Sequence, residues 1–460
     1  MLRRDKRLLQ TVGVVALGAF LSLGCGDKDG INTGEVISPK AMTNQSSSDY
    51  NENQHGLVTA TNVEKWISDW ESNKPEGING KLIILQIGQI SVDGNYTALK
   101  HDDVNIFTYE LGDVCNTYYS RFDGVSKVAK AVNSGENIDN MMMAYGIDPQ
   151  NDMLLFVQGN GLNKGANMSG AARMWYTFSY WGIKQEHMAL LNGNASFVLN
   201  PDANGELVSS SKDDLFDLNV SSLPMSGTVS IKEIRRNATA LQATMKDMRE
   251  LIDNCLYDSV IVDARSEAEY NGTKRAKTEL KTCGENRDEQ CYTPFDGHIA
   301  GAKHLLYTNV LDLNETADLN GDGNITATEA SYTFKSVDEI QQLFNDVGYE
   351  DGKTLYTYCR TGTKSSLLAF SASQIAGYTT RMYDGSWIQW GRMAHREDAN
   401  GSTLISENSY WRNDVDKYSE NITYNGDSSS VIPQDPADLN LCSCRTDKIV
   451  NEDKEYKSLQ

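Results

Sequence analysis

Tyr358-Cys359-Arg360-Thr361-Gly362-Thr363-Lys364-Ser365 follows the apolar run Thr354 to Tyr358 and leads into a helical stretch, Ser365 to Ala376, that Gly377 stops. A strand, a short loop and a helix in that order make an α/β unit. Its loop sits at the carboxy end of the strand, where parallel sheets present their ligand sites. Successive N–H groups curled around a cysteine at a helix start stabilise negative charge there, which favours the thiolate and binds an anion. Small residues at 361 to 363 let the main chain curl, and Arg360 and Lys364 add positive charge. The competing reading is a buried cysteine that only fills a strand end.

The same order of elements occurs about 200 residues earlier, which is what a tandem domain produces. Met153 to Val157 is an apolar strand, Gly159 to Gly165 a Gly/Asn-rich loop, and Ala171 to Tyr180 a helix ending at Gly182. Met188 to Leu191 is a strand that ends at Asn192-Gly193, as Arg381 to Tyr383 ends at Asp384-Gly385. Earlier still, Val63 to Trp70 reads as an amphipathic helix and Lys81 to Ile87 as a buried strand. The expected fold is α/β, with two domains that each carry a mainly parallel central sheet flanked by helices on both faces.

Four ordered motifs in the second half resemble the rhodanese, or sulfurtransferase, family. Val260 to Arg265 followed by Glu269-Tyr270 looks like its opening strand and turn. Gly297-His298-Ile299-Ala300-Gly301-Ala302 resembles its GHIxGA signature, Cys359 to Thr363 its active loop, and Tyr383 to Trp387 with Trp390 the closing motif of two-domain members. The resemblance implies a Cys359 persulfide as the sulfur carrier. Arg360, Thr361, Gly362, Thr363, Lys364 and Ser365 would line the substrate site; Asp263 and Arg265 are expected to hold the loops around it, with Arg265 also in reach of substrate. The substrates implied are a small sulfur-containing anion, such as thiosulfate, and a thiol or cyanide acceptor.

The first half resembles the silent amino-terminal domain of tandem members. Gln158 stands where Cys359 stands and cannot act as a nucleophile, while Arg173 and Trp175 resemble that domain's helix and are expected to pack. Two departures weaken the thiosulfate clamp: Glu269 replaces an arginine usual before Tyr270, and Thr361 a frequent lysine. A cysteine phosphatase, which needs arginine six residues after the cysteine, is disfavoured because that residue is Ser365.

The chain has 460 residues and a formal charge of −21, so binding to nucleic acid is not expected. Arg3 to Arg7 precede an apolar run, Leu8 to Gly24, that ends at Cys25 and resembles a bacterial lipoprotein signal. Lipid attachment at Cys25 would place the protein in the cell envelope, the outer membrane being favoured, on the periplasmic or surface side. Eight cysteines fit an oxidising compartment. A Cys283–Cys291 disulfide is the leading guess at pairing, and the cysteines of Cys442-Ser443-Cys444 are too close to bridge each other easily.

The expected layout is a signal at 1–25, a tether at 26–55, the silent domain at 56–215, a linker at 216–230, the catalytic domain at 231–396 and an extension at 397–460. Asp318, Asn320, Asp322, Asn324, Thr326 and Glu329, with Gly323 at the turn, match the calcium-loop pattern and resemble an EF-hand or dockerin loop. Structural calcium is therefore expected, and neither haem nor nucleotide. Asp202 to Glu206 lacks that register and reads as a turn. Two functions stand: an exported sulfurtransferase, or a non-catalytic accessory subunit of an envelope redox or transport complex.

Overall fold

Leu82-Ile83-Ile84-Leu85-Gln86-Ile87 has too little polar alternation for a half-solvated strand, and it is buried along its whole length. It is the second strand of a parallel sheet made of β1 (Leu57–Val58), β2 (Leu82–Ile87), β3 (Ile106–Leu111), β4 (Met153–Gln158) and β5 (Met188–Asn194). The strands run in the order β1-β5-β4-β2-β3. A second parallel sheet contains β6 (Gln242–Ala243), β7 (Ser259–Asp263), β8 (Lys303–His304), β9 (Thr354–Tyr358) and β10 (Thr380–Tyr383), in the order β6-β10-β9-β7-β8. Counted from its own first strand, each sheet has the same order.

This computed structural model describes residues 54–92, 95–111, 119–123, 127–159, 167–200, 215–217, 227–236, 238–253, 256–273, 295–318, 322–325, 329–393, 423–424 and 447–458. All lie in the unit Asn32–Gln460. Outside them fall Cys25 with its signal, the tether up to residue 53, Asp202 to Glu206, and the remaining cysteines apart from Cys359. Among the described residues no helix is long and apolar enough to cross a membrane.

The helices are α1 (Ala60–Ser68), α2 (Gly135–Ala144), α3 (Ser169–Tyr180), α4 (Met245–Asp253), α5 (Val337–Asp346), α6 (Thr363–Phe370), α7 (Ser386–Met393) and α8 (Lys448–Ser458). Strand periodicity divides the core into layers. Leu82, Ile84, Met153 and Leu155 pack with Val63, Trp66 and Ile67 of α1. Their alternates Ile83, Leu85, Leu154 and Phe156 share a core with α3, α6, and Val260, Val262 and Leu355 of the second sheet. The far face of that sheet, Ile261, Tyr356 and Tyr358, meets α4 and α7. Both sheets thus have helices on each face, as expected, and α3 and α6 are sandwiched between them. Trp175 of α3 meets Phe370 of α6 edge-on at 5.0 Å between ring centres, a geometry worth about 0.5–1.5 kcal/mol beyond its buried area.

Three sequence expectations shift. The helix expected to run unbroken to Ala376 is α-helical only to Phe370 and then widens into a π-turn over Ser371–Ile375. Ser371 and Ser373 donate their hydroxyls back to the carbonyls of Leu367 and Ala369, which loosens the ladder there. Phe216, placed in the linker, instead pairs with Leu99 and is buried, because one aromatic in a polar stretch is enough to dock an edge strand. Ser230 and Ile231 are likewise held to the first half by the Asp139 carboxylate.

The last tether residues are also fixed, with His55 buried and its Nδ1 3.3 Å from the Gln374 carbonyl. In the extension, α8 docks through Asp453, which receives Arg121 at 2.7 and 2.8 Å and the Tyr180 hydroxyl at 2.7 Å.

Burial holds the phenols of Tyr176, Tyr180, Tyr358 and Tyr383 well above their ordinary range. Above about pH 10 the unfolded chain therefore loses protons that the native state keeps, and stability falls as pH rises. Lys457 works the other way, since burial pushes its ammonium down to about 8 and its contribution rises with pH between 8 and its ordinary 10.5. Four fully buried phenols outweigh one lysine above pH 10. Alkaline titration is expected to give cooperative unfolding with simultaneous appearance of tyrosinate absorbance. Smooth ionisation of these tyrosines in a still-folded protein would contradict that expectation.

Candidate active site

Strand β9 ends at Tyr358, and the chain turns through Cys359, Arg360 and Thr361 to Gly362, whose φ of +87° suits glycine. Helix α6 then starts at Thr363 with no side-chain cap. The N–H groups of its first turn have no partner within the helix, so its dipole and donors face the loop. Helix α7 holds the back of the same loop. The N–H groups of Trp387 and Ile388 donate to the carbonyls of Cys359 and Arg360 at 3.0 and 3.1 Å, and Ser386 Oγ accepts the Cys359 N–H at 3.3 Å.

Because N–H and C=O point oppositely across a trans peptide, clamping those two carbonyls directs the Arg360 and Thr361 N–H groups away from α7. Backbone N–H groups turned this way could receive an anion. Cys359 is a free thiol, 1% exposed.

The flanking side chains take different positions. Arg360, Thr361, Thr363 and Lys364 are half-buried around the loop, and Gly362 is buried. Ser365, expected at the substrate, is fully buried and gives its hydroxyl to the Gly362 carbonyl at 3.0 Å, locking the turn. Arg265 takes the loop-holding role favoured for it, and its expected reach to substrate is corrected. It is 2% exposed, its guanidinium binds both oxygens of Asp263 at 2.6–3.1 Å and the Gly297 carbonyl at 2.5 Å, and it lies 4.5 Å from the Trp387 ring centre.

Burial opposes the Arg265 charge, but the Asp263 carboxylate outweighs it and raises the guanidinium pKa further. Arg265 therefore ties together the opening, GHIxGA and closing motifs. His298 is structural too, stacked on Tyr270 at 3.8 Å.

Sequence reasoning missed Tyr307. Its ring centre lies 5.0 Å from Lys364 Nζ, and its hydroxyl accepts from Asn167 of the first half at 3.1 Å. Burial first, then the fields of Tyr332, Cys359 and Glu269, push its phenol up. Nothing in the local sequence marks it. Burial works against the Glu269 charge, but the Ser266 hydroxyl, Lys364 and Arg265 outweigh this and hold the carboxyl below its usual range. Glu269 thus stays an anion, held by the Ser266 hydroxyl and within the fields of Lys364 and Arg265.

The first half carries a counterpart that is already filled. Gln158 ends β4, and its side-chain oxygen accepts the N–H of Ala171 in the first turn of α3 at 3.2 Å. Its amide nitrogen donates to the Gly159 carbonyl at 3.0 Å.

In the insertion, Asp318 accepts the N–H groups of Asp322 and Gly323 at 3.2 and 2.8 Å, Asp322 accepts that of Asn324 at 2.7 Å, and Gly323 has φ +80°. Among the described residues, no three acidic, histidine or cysteine side chains converge on a common point. Asn320 and Thr326 lie outside the described residues.

Residues 244–393 match the family model of the rhodanese-like domain. A Haloferax volcanii protein provisionally named a thiosulfate sulfurtransferase is 24% identical over 352 residues, covering 76% of this chain and 96% of that one. The sulfur carrier protein TtuD of Thermus thermophilus is 31% identical over 134 residues, 29% of this chain and 38% of its own length. A Mycobacterium bovis protein, also provisionally named a thiosulfate sulfurtransferase, is 28% identical over 151 residues, 33% and 46% of the two chains. Less than half of each of these last two is matched. Among solved structures, an anaerobic ergothioneine biosynthesis enzyme from Chlorobium limicola is similar at 18% identity and TM-score 0.47, covering 76% of this chain and 70% of that one. YnjE is similar at 17% and 0.47, covering 73% and 66%.

Proposed function

We propose that the chain is a sulfurtransferase working through a Cys359 persulfide. The observation that carries this reading is the free Cys359 between β9 and the uncapped start of α6, its carbonyl held from behind by α7. The rhodanese-like match and the relatives named for sulfur transfer support it.

In the first step the Cys359 thiolate attacks the outer sulfur of a donor such as thiosulfate. A new S–S bond forms, the donor's S–S bond breaks, and sulfite leaves with the electron pair. In the second step a thiol or cyanide attacks the outer persulfide sulfur and takes it, returning the Cys359 thiolate. The backbone donors hold the persulfide's negative charge in both steps. Glu269 in place of the arginine usual before Tyr270 argues for a donor less charged than thiosulfate, so thiosulfate is the weaker of the donors to try.

The test is mass spectrometry of the intact protein after incubation with thiosulfate, 3-mercaptopyruvate or polysulfide. The expected result is a cyanide-labile gain of about 32 Da, one sulfur, on Cys359. Folded protein that gains no sulfur from any of these donors overturns the reading in favour of the accessory-subunit alternative.

The proposed setting is a tandem-domain, lipid-anchored envelope protein. The repeated sheet order favours the tandem layout, and the sequence around Cys25 favours the anchor. Calcium is proposed as the ligand of the loop 318–329, on its residue pattern and the turn at Gly323. Titration calorimetry is expected to show one calcium per chain, lost in an Asp318→Ala, Asp322→Ala variant. No binding at millimolar calcium removes that assignment.

A further inference from the structure

Arg173 is completely buried on α3, in the half of the chain that has no cysteine at its strand end. Its Nη1 lies 2.5 Å from Oδ1 of Asp384, which is also completely buried, and its Nη2 donates to the Lys130 carbonyl at 2.9 Å. The other oxygen of Asp384 accepts the N–H of Val132 at 2.8 Å. Asp384 stands just before α7, whose Ser386, Trp387 and Ile388 hold the Cys359 and Arg360 backbone. Gly362 rests on the same ion pair: a Cβ built there would lie 2.6 Å from Arg173 Nη1 and closer still to Asp384 Oδ1.

We propose that Arg173 is a positioning residue for Cys359, fixing through Asp384 the start of α7 and the bend at Gly362 that together shape the anion-binding backbone. A buried ion pair contributes little net stability, because desolvation offsets its attraction, but it has one satisfactory geometry. The half without a nucleophile thereby sets the shape of the site in the other half. The inference rests on the sulfur-transfer reading for its kinetic consequence and on geometry alone for its structural one.

The decisive variant is the neutral pair Arg173→Met, Asp384→Asn in the full chain, which leaves no lone buried charge. Asp384→Asn alone is the milder second variant, and Arg173→Lys tests conservative rescue. Persulfide formation is followed for kcat and KM, and hydrogen exchange is followed at the amides of Trp387 and Ile388. The expected result is a kcat reduced about 10- to 100-fold with KM within about twofold, and partial recovery with Arg173→Lys. Exchange at Trp387 and Ile388 is expected to speed up by about tenfold or more while the rest of the second sheet is unchanged.

Tyr456→Phe, which loses a 2.6 Å bond from α8 to Asp139, serves as the control for general loosening and keeps wild-type kcat. Folded neutral-pair protein with wild-type kcat and wild-type exchange overturns the proposal. Wild-type protein that takes no sulfur, with exchange at Trp387 and Ile388 still faster in the variant, sinks the transfer reading and leaves the positioning role intact.

Discussion

Cys359→Ser is expected to fold and melt like the parent chain and to transfer no sulfur, with turnover lower on the order of 10,000-fold or more. Serine fills the same buried position at the end of β9 and leaves the backbone bonds to Trp387 and Ser386 in place. It cannot carry a persulfide. The measurement is steady-state transfer from whichever donor loads the parent protein, alongside a thermal melt. Substantial residual turnover in the serine variant would move the sulfur carrier to another cysteine.

Arg265→Met should leave the loop intact in outline yet cost about 3–5 kcal/mol of stability, a fall in melting temperature on the order of 10 °C. The cause is Asp263, which is completely buried and would lose its bidentate partner. The Gly297 carbonyl would lose a donor at the same time. Pairing Arg265→Met with Asp263→Asn is expected to recover much of the loss, because no unpaired charge then remains inside. Urea or thermal melts of the two variants decide the matter. A single variant as stable as the parent would show that the guanidinium is not the tie between the three motifs.

The alternation of strand and helix was legible because buried parallel strands read as unbroken apolar runs. Leu82–Ile87 and Met153–Gln158 come close to this, while Thr354–Tyr358, with two threonines, was legible from its place before the cysteine loop. The helix stops at Gly182 and Gly377 were legible too, since both take the positive φ that glycine permits. The place of the cysteine loop, between a strand and a helix, was readable from its own eight residues.

What escaped were partners far apart in the chain. Arg173 read as packing because nothing near it in sequence hints at Asp384, 211 positions on. Tyr307 had no signal, being one aromatic among several. Arg265 was legible as a loop-holding residue because the clue was local: a carboxylate two residues earlier closes on its guanidinium, and only the reach to substrate offered beside that reading falls away. Phe216 and α8 were hidden in polar stretches where a few anchoring side chains settle the outcome.

Gln158 accepts with its own amide oxygen the Ala171 N–H at the start of α3, where the other half has Cys359 and α6. With Cys359 as the proposed carrier, the expected loading is one sulfur atom per polypeptide. Radiolabelled donor should saturate at a one-to-one ratio, and a competing inorganic anion should inhibit with single-site behaviour, since a duplicated architecture here does not mean a duplicated binding stoichiometry.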